Sequence, residues 1–209
     1  RDNDILVGRD GDDKLDGGGG LDDMRGGRGD DIYVVNRSDD IVTETANNGQ
    51  DTVRSTASFR LPDQVENLVL TEFDSVDATG NALNNILQGN AGDNLLSGGL
   101  GSDQLDGGLG ADVFIFAAAI DSGPGAGRDV IVNIESGIDK IDVSAIDADK
   151  TTDGDQAFVF IGTATFTETA GELRYAEGLV SGDTDGDAEA DLEINIEDLS
   201  LLVASDFIL

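Results

Sequence analysis

Apolar residues recur at a fixed nine-residue interval in two stretches of this chain. The first runs Leu6, Leu15, Met24, Tyr33 and Val42; the second runs Leu87, Leu96, Leu105 and Phe114. Two residues before each stands an aspartate or asparagine: Asp4, Asp13, Asp22, Asp31 and Asp40, then Asn85, Asn94, Asp103 and Asp112. The best units also carry paired glycines and a third glycine, as in Gly98 to Ile115, GGLGSDQLD-GGLGADVFI. Numbered from the first paired glycine, the acidic residue is position 6 and the apolar one position 8. Positions 7 to 9 make a very short strand whose middle side chain points to the core. Glycines at positions 1, 2 and 4 permit backbone angles closed to other residues and let carbonyls point into a tight turn. One turn and one strand make half a coil, so units eighteen residues apart stack directly. The fold expected is all-β, a parallel β-roll with a C-terminal β cap.

Four segments follow from the pattern: a first array over 1–43, degenerate solenoid or connecting strands over 44–79, a second array over 80–116, and a cap over 117–209. Asn47-Asn48-Gly49 reads as a turn, after which Asp51–Ser58 and Val65–Leu70 read as strands separated by Leu61-Pro62-Asp63. Counting back eighteen residues from the second array puts Asn67 at position 6 and Val69 at position 8. A continuous stack is expected, because two isolated arrays of about two coils each fall below the three or so repeats a solenoid needs. Counting forward makes Asp121 the next position 6. Further strands are expected at Val113–Phe116, Asp129–Ile134, Asp139–Val143, Phe158–Ile161, Leu173–Tyr175 and Leu192–Ile196, with a short helix or turn over Glu197–Ala204. Asp129, Asp139 and Asp142 read as cap and turn residues.

Composition sharpens the chemistry. In 209 residues there are 29 glycines, and the net charge is −32. Such a chain repels nucleic acid. Without cysteine or histidine it has no disulfide, no thiolate or HExxH metal site and no histidine triad. No segment is long and apolar enough for a membrane-spanning helix. Stacked turns enclose backbone carbonyls and carboxylates, which are hard, flexible, anionic ligands suited to Ca²⁺ and poorly suited to Zn²⁺ or Cu²⁺. Without a cation the stacked carboxylates repel one another. Asp183, Asp185, Asp187 and Asp191 resemble a DxDxD calcium loop, but Ala188 stands where such a loop needs glycine, and a polar β-turn is an equal reading.

The nonapeptides resemble the GGxGxDxUx repeat of RTX (hemolysin-type calcium-binding) proteins exported by type I secretion. Asp129–Asp147 and Gly182–Ile196 are similar to the C-terminal module of serralysin-type proteases and the R-modules of mannuronan C5-epimerases. The terminal Asp206-Phe207-Ile208-Leu209 resembles the secretion signal read by the type I apparatus. The resemblance implies how each ion is held: carbonyls of positions 2 and 4 and the position-6 side chain face carbonyls of positions 1 and 3 and the position-6 carboxylate eighteen residues on. Carried onto this sequence, Arg9, Gly11 and Asp13 face Gly26, Arg28 and Asp31; Gly18, Gly20 and Asp22 face Val35, Arg37 and Asp40. Asn90, Gly92 and Asn94 face Gly107, Leu109 and Asp112; Gly99, Gly101 and Asp103 face Phe116, Ala118 and Asp121. Weaker sites pair Asp4 with Gly17, Gly19 and Asp22, and Asn85 with Gly98, Leu100 and Asp103. The asparagines offer an oxygen without a charge.

Several calcium ions, about four to six, are therefore expected. The function implied is a secreted, extracellular bacterial module that folds on calcium after type I secretion and stabilises and exports a larger protein. Arg1 stands in mid-repeat, so a longer parent is expected. A different reading is a module binding an alginate-like polysaccharide or a cell surface. A third makes the segment the tail of a secreted metalloprotease, epimerase or lipase, with no active site of its own.

Overall fold

The computed structural model describes residues 2–45, 49–199 and 201–209. The chain winds as a solenoid whose strands alternate between two faces. On one face a parallel sheet runs through Lys14–Asp16, Ile32–Val35, Thr52–Ser55, Asn67–Leu70, Ile86–Gln88, Gln104–Asp106 and Asp129–Val132. The other face carries Ile5–Asp10, Asp23–Arg28 and Ile41–Thr43, and then a second sheet from Phe59–Arg60 through Ala78–Thr79, Leu95–Ser97 and Val113–Ile115 to Lys140–Asp142 and Phe207–Ile208.

Register explains the nine-residue pattern. Leu15 pairs with Tyr33, Tyr33 with Val53, Val53 with Leu68, Leu68 with Leu87, and Leu87 with Leu105. On the opposite face Ala78, Leu96, Phe114 and Ile141 align in the same way. All these side chains are buried, so the two apolar columns meet as one core along the solenoid axis. Each three-residue strand contributes one inward side chain and is too short to fold alone.

The middle segment belongs to the stack, but its phase differs from a uniform eighteen-residue count. Ile86 pairs with Asn67 and Leu87 with Leu68, so Leu68 is the core residue and Val69 is the half-buried one beside it. The coil between these strands is one residue longer than the arrays' coils, and a shift of one flips every side chain to the other face. The turn expected at Asn47-Asn48-Gly49 falls mostly outside the described residues. Strands Asp51–Ser58 and Val65–Leu70 shrink to Thr52–Ser55 and Asn67–Leu70.

The solenoid also continues past residue 116. Gln104 pairs with Val130, and Val113 with Lys140, so the coils here span 26 and 27 residues. An insertion holding a short 3₁₀ turn at Ala119–Ser122 accounts for the first. Leu192–Ile196 adds in parallel to Asp129–Val132, then Leu179–Asp183 and Glu172–Ala176 follow as antiparallel neighbours. The change to antiparallel pairing closes the apolar column under a hairpin instead of an open edge. No helix forms among the described residues of Glu197–Ala204; a single 3₁₀ turn lies at Ala204–Asp206.

The register assigns different weights to adjacent residues. Leu68→Ala is expected to cost about 2–5 kcal/mol in calcium-saturated denaturant unfolding, and Val69→Ala less than about 1 kcal/mol. Equal costs would mean that the inward face is misassigned.

Candidate metal centre

The position-6 residues stand where turn meets strand, and there they form ladders. The Asp13 amide donates to Asp31 Oδ1 at 2.8 Å, and the Asp31 amide to Asp51 Oδ1 at 2.8 Å. Asp51 donates in turn to Glu66 Oε2 at 2.8 Å. Further along the same edge, Asn85 donates to Asp103 Oδ1 at 2.7 Å and Asp103 to Asp129 Oδ1 at 2.8 Å. The opposite edge repeats the scheme: Asp4 to Asp22, Asp22 to Asp40, Asn94 to Asp112, and Asp112 to Asp139, all between 2.8 and 3.1 Å. One side-chain oxygen per coil therefore fastens the backbone of the coil before it.

The second oxygen separates two kinds of turn. In Asp13, Asp22, Asp31, Asp103, Asp112 and Asp129, Oδ2 is buried and has no hydrogen-bond partner. The first five end turns whose second residue has positive φ: Arg9 (96°), Gly18 (69°), Gly27 (116°), Gly99 (94°) and Gly108 (91°). The freed amides turn elsewhere; those of Gly18 and Gly108 go to Asp16 and Asp106. We call these turns open.

Five further turns are closed, because the amide of their second residue points at the position-6 side chain. Asn81 donates to Asn85 Oδ1 at 2.8 Å, and Asn90 to Asn94 Oδ1 at 2.9 Å. Asn36 and Arg37 donate to Asp40 Oδ2, Ala117 and Ala118 to Asp121 Oδ2, and Glu135 to Asp139 Oδ2. The asparagine turns are the most complete. Asn94 Nδ2 donates to the Val76 carbonyl and to Asn90 Oδ1, while Asn85 Nδ2 reaches the Glu66 carbonyl and Asn81 Oδ1.

Glycine at position 1 has a direct steric cause. A Cβ on Gly17, Gly26, Gly98 or Gly107 would lie 2.1–2.4 Å from the Oδ2 of its own turn's aspartate. A Cβ on Gly8 would lie 2.5 Å from Asp13 Oδ2 and 2.8 Å from the Gly26 carbonyl oxygen of the next coil. The unpartnered oxygen and a carbonyl thus converge on one small volume. Carbonyls of Arg9, Gly11, Asn90 and Gly92 face Gly27, Gly29, Gly108 and Gly110 of the following coil, where a Cβ would come within 2.1–2.6 Å of them. Calcium takes six to eight oxygen ligands in flexible geometry, so hard oxygens gathered around unpartnered carboxylates fit it.

Electrostatics agree. Burial, the largest cause in each case, pushes Asp51 up to about 7, Asp103 and Asp112 to about 6, and Asp129 to about 8. The charged groups acting on all four are further carboxylates, which raise them again. Asp31 is raised by the same causes.

The structure links Asp13 with Asp31, Asp22 with Asp40, Asp4 with Asp22, Asn85 with Asp103 and Asn94 with Asp112, as the spacing implies. Asp121 stands beside the ladder; the rung after Asp103 is Asp129, because the insertion lengthens the coil to 26 residues. Asp129 and Asp139 are thus ladder rungs and not cap or turn residues alone. Some carbonyls have other partners: Gly18 accepts the Asn36 side-chain amide, Arg28 accepts the Gly11 amide at 2.6 Å, and Asn90 accepts the Leu109 amide at 2.9 Å. Sequence reasoning missed Asp51 as a rung, together with Glu44 and Glu66. Asp51, Asp129 and Asp139 did carry the signal, since buried Val53, Ile131 and Ile141 follow each two places on.

The DxDxD segment closes on itself. Asp183 accepts Asp185 and Gly186 amides on Oδ1 and the Ala188 amide on Oδ2, as a polar turn does, and a carboxylate oxygen from each of Asp183, Asp185 and Asp187 lies within 4.8 Å of the others.

Comparison with known proteins follows this geometry. The family described as RTX calcium-binding nonapeptide repeat (4 copies) matches residues 1–33 and 79–114. No curated protein matches the chain. The solution structure of the AlgE6R3 subunit from the Azotobacter vinelandii mannuronan C5-epimerase is similar at 20% sequence identity and a TM-score of 0.36, over 96% of this chain and 80% of that one. Residues 1–33 and 79–114 thus match RTX calcium-binding nonapeptide repeats, and the structure winds them into a parallel β-solenoid.

Two predictions distinguish the turns. Asn94→Ala removes bonds made within the protein, and should cost about 1–3 kcal/mol in urea unfolding at saturating calcium. Arg9→Gly relieves a non-glycine residue at φ 96° and should stabilise by about 1 kcal/mol in the same measurement.

A pH prediction follows from the raised carboxylates. Their ordinary value is 3.8 and their folded values lie near 6–8. Folding therefore takes up protons, and the stability these groups give is present at low pH and lost as pH rises through the folded values. In calcium-depleted buffer, β content by circular dichroism should grow as pH falls from about 8 to 5. β content that stays flat over that interval would mean that the buried carboxylates do not limit the calcium-free fold.

Proposed function

We propose that this chain is a calcium-gated folding module, exported unfolded by type I secretion and folded outside the cell, where it stabilises a larger extracellular protein. The observation that carries the reading is the set of buried, unpartnered Oδ2 atoms at Asp13, Asp22, Asp31, Asp103 and Asp112. The ions are assigned to these open turns and to the carbonyls that face them. Bound Ca²⁺ supplies the positive charge that lets the stacked carboxylates approach. Where calcium is scarce, a chain of net charge −32 has only protons to offset that repulsion, and it stays unfolded.

Magnitudes support a switch. At about 1 mM calcium, sites of ~10⁻⁴ M affinity each add about 1.4 kcal/mol. Four to six of them give about 6–8 kcal/mol, comparable with the whole stability of an ordinary domain.

The C-terminal tetrapeptide supports the order of events. Asp206 is buried and accepts the Ser136 hydroxyl at 2.8 Å and the Gly137 amide at 2.9 Å. Phe207 is buried too, pairs with Ile141 and stacks on Phe160 with ring centroids 4.9 Å apart. An exporter that reads these side chains reads them before the solenoid closes. Folding outside then removes the signal from further recognition and opposes return.

A calcium titration followed by circular dichroism, with magnesium as control, tests the reading. A cooperative coil-to-β transition at sub-millimolar to millimolar calcium, absent with magnesium, is expected. The same β content in EDTA at neutral pH would overturn calcium gating.

A further inference from the structure

Gly26–Asp31 is the last glycine turn of the first array, and the next coil answers it with acids that belong to no repeat. Asp51 lies twenty residues beyond Asp31 and takes its amide on Oδ1. Glu44 follows the strand Ile41–Thr43 and reaches back over Gly26 and Gly27. A carboxylate oxygen from each of Asp31, Glu44 and Asp51 lies within 4.8 Å of the others. Asp31 is 0% exposed and Asp51 2%.

Proximity of acids alone means little, but Asp31 Oδ2 adds an independent observation. It is buried, has no partner, and points into the cluster. A Cβ on Gly26 would lie 2.2 Å from Asp31 Oδ2, 2.3 Å from Glu44 Oε1 and 2.2 Å from the Tyr33 hydroxyl, so three oxygens from three elements converge there. The Tyr33 hydroxyl donates to Glu44 Oε1 and accepts the Gly26 amide at 2.9 Å. Glu44 Oε1 also accepts the Gly27 amide at 3.2 Å. The charged groups acting on Asp31 are Glu44, Asp13 and Asp12; those acting on Asp51 are Glu44, Glu66 and Asp31. All are negative.

The geometry points to a divalent-cation site formed by Asp31, Glu44 and Asp51, which joins the first array to the non-repeat coils that follow. It rests on the calcium reading of the open turns and extends it to a glutamate outside the nonapeptide. Its donors are carboxylates and a phenol, with no nitrogen or sulfur ligand. That set suits Ca²⁺, whose coordination number and shape are flexible, better than Mg²⁺, which demands a compact octahedron. The site would fix the register of a coil two residues longer than the array's.

The test counts ions. Calcium bound per chain is measured by equilibrium dialysis with elemental analysis at saturating calcium, for the wild type and for Glu44→Gln combined with Asp51→Asn. Both substitutions can keep the side-chain oxygens that accept the Gly27 and Asp31 amides, while each removes the charge and exchanges the second oxygen for an amide nitrogen. One ion fewer per chain is expected, with the remaining ions bound at unchanged affinity. An unchanged count and affinity would overturn the site while leaving the proposed function standing. A wild type that binds no calcium would remove both. If circular dichroism shows that the double variant does not fold in calcium, Glu44→Gln alone decides. One ion weakened at least tenfold supports the site, and identical titrations overturn it.

Discussion

The structure depends on how a single aspartate divides its two oxygens. Oδ1 accepts the amide of the coil before it, and through that bond the turns of successive coils are stacked in register. Oδ2 is left inside the stack with nothing to bond. An unpaired buried carboxylate oxygen costs several kcal/mol unless a proton or cation meets it. The bond that builds the solenoid therefore places the charge that opposes it, and the fold is tied to whatever neutralises that charge. Burial of Leu, Phe and Ile side chains supplies the core, but a three-residue strand such as Gln104–Asp106 brings only one of them.

Open and closed turns show how the same ladder is built with and without that dependence. Glycine at positions 1 and 2 lets the backbone turn its amides away and leaves Oδ2 free. Asn81 and Asn90 in place of the second glycine keep the amide pointed inward, and Asn85 and Asn94 add donors of their own. The second array thus opens with two turns held by side-chain amides and continues with turns held by carboxylates.

Much of this was legible in the sequence because nine-residue spacing constrains both the core and the turns. Leu15, Met24, Tyr33, Leu87, Leu96, Leu105 and Phe114 all lie inside, as their position 8 implies. The spacing failed where coil length changed. One extra residue between Asn67 and Ile86 moved the inward position from Val69 to Leu68, and the insertion after Phe116 moved the rung from Asp121 to Asp129. A count of eighteen has no term for an insertion. The more local signal, an acid followed two places on by an apolar residue, survives it, and would have identified Asp51, Asp129 and Asp139. Glu44 had no such marker, because its position depends on how the chain returns after Thr43. The asparagines were read as weakened aspartates, whereas their amide donors make a different turn.

The terminal strand completes the same logic. Asp206 sits against the Ser136–Gly137 turn, taking the hydroxyl of one and the amide of the other, as the ladder acids take the amides of the coils they fasten. Unlike the open-turn aspartates, it also receives the Val203 amide on Oδ2. Its burial pushes the carboxyl up, but these donors and the nearby Lys140 outweigh that and leave its pKa lowered. The last rung is therefore satisfied by the protein itself. The end of the chain can lock without an ion once the preceding coils exist, whereas Lys140–Asp142, the strand it pairs with, rests on coils that begin in open turns. Under the proposed calcium gating, the arrays would act on Phe207–Ile208 through its pairing with Lys140–Asp142, with no ligand required there.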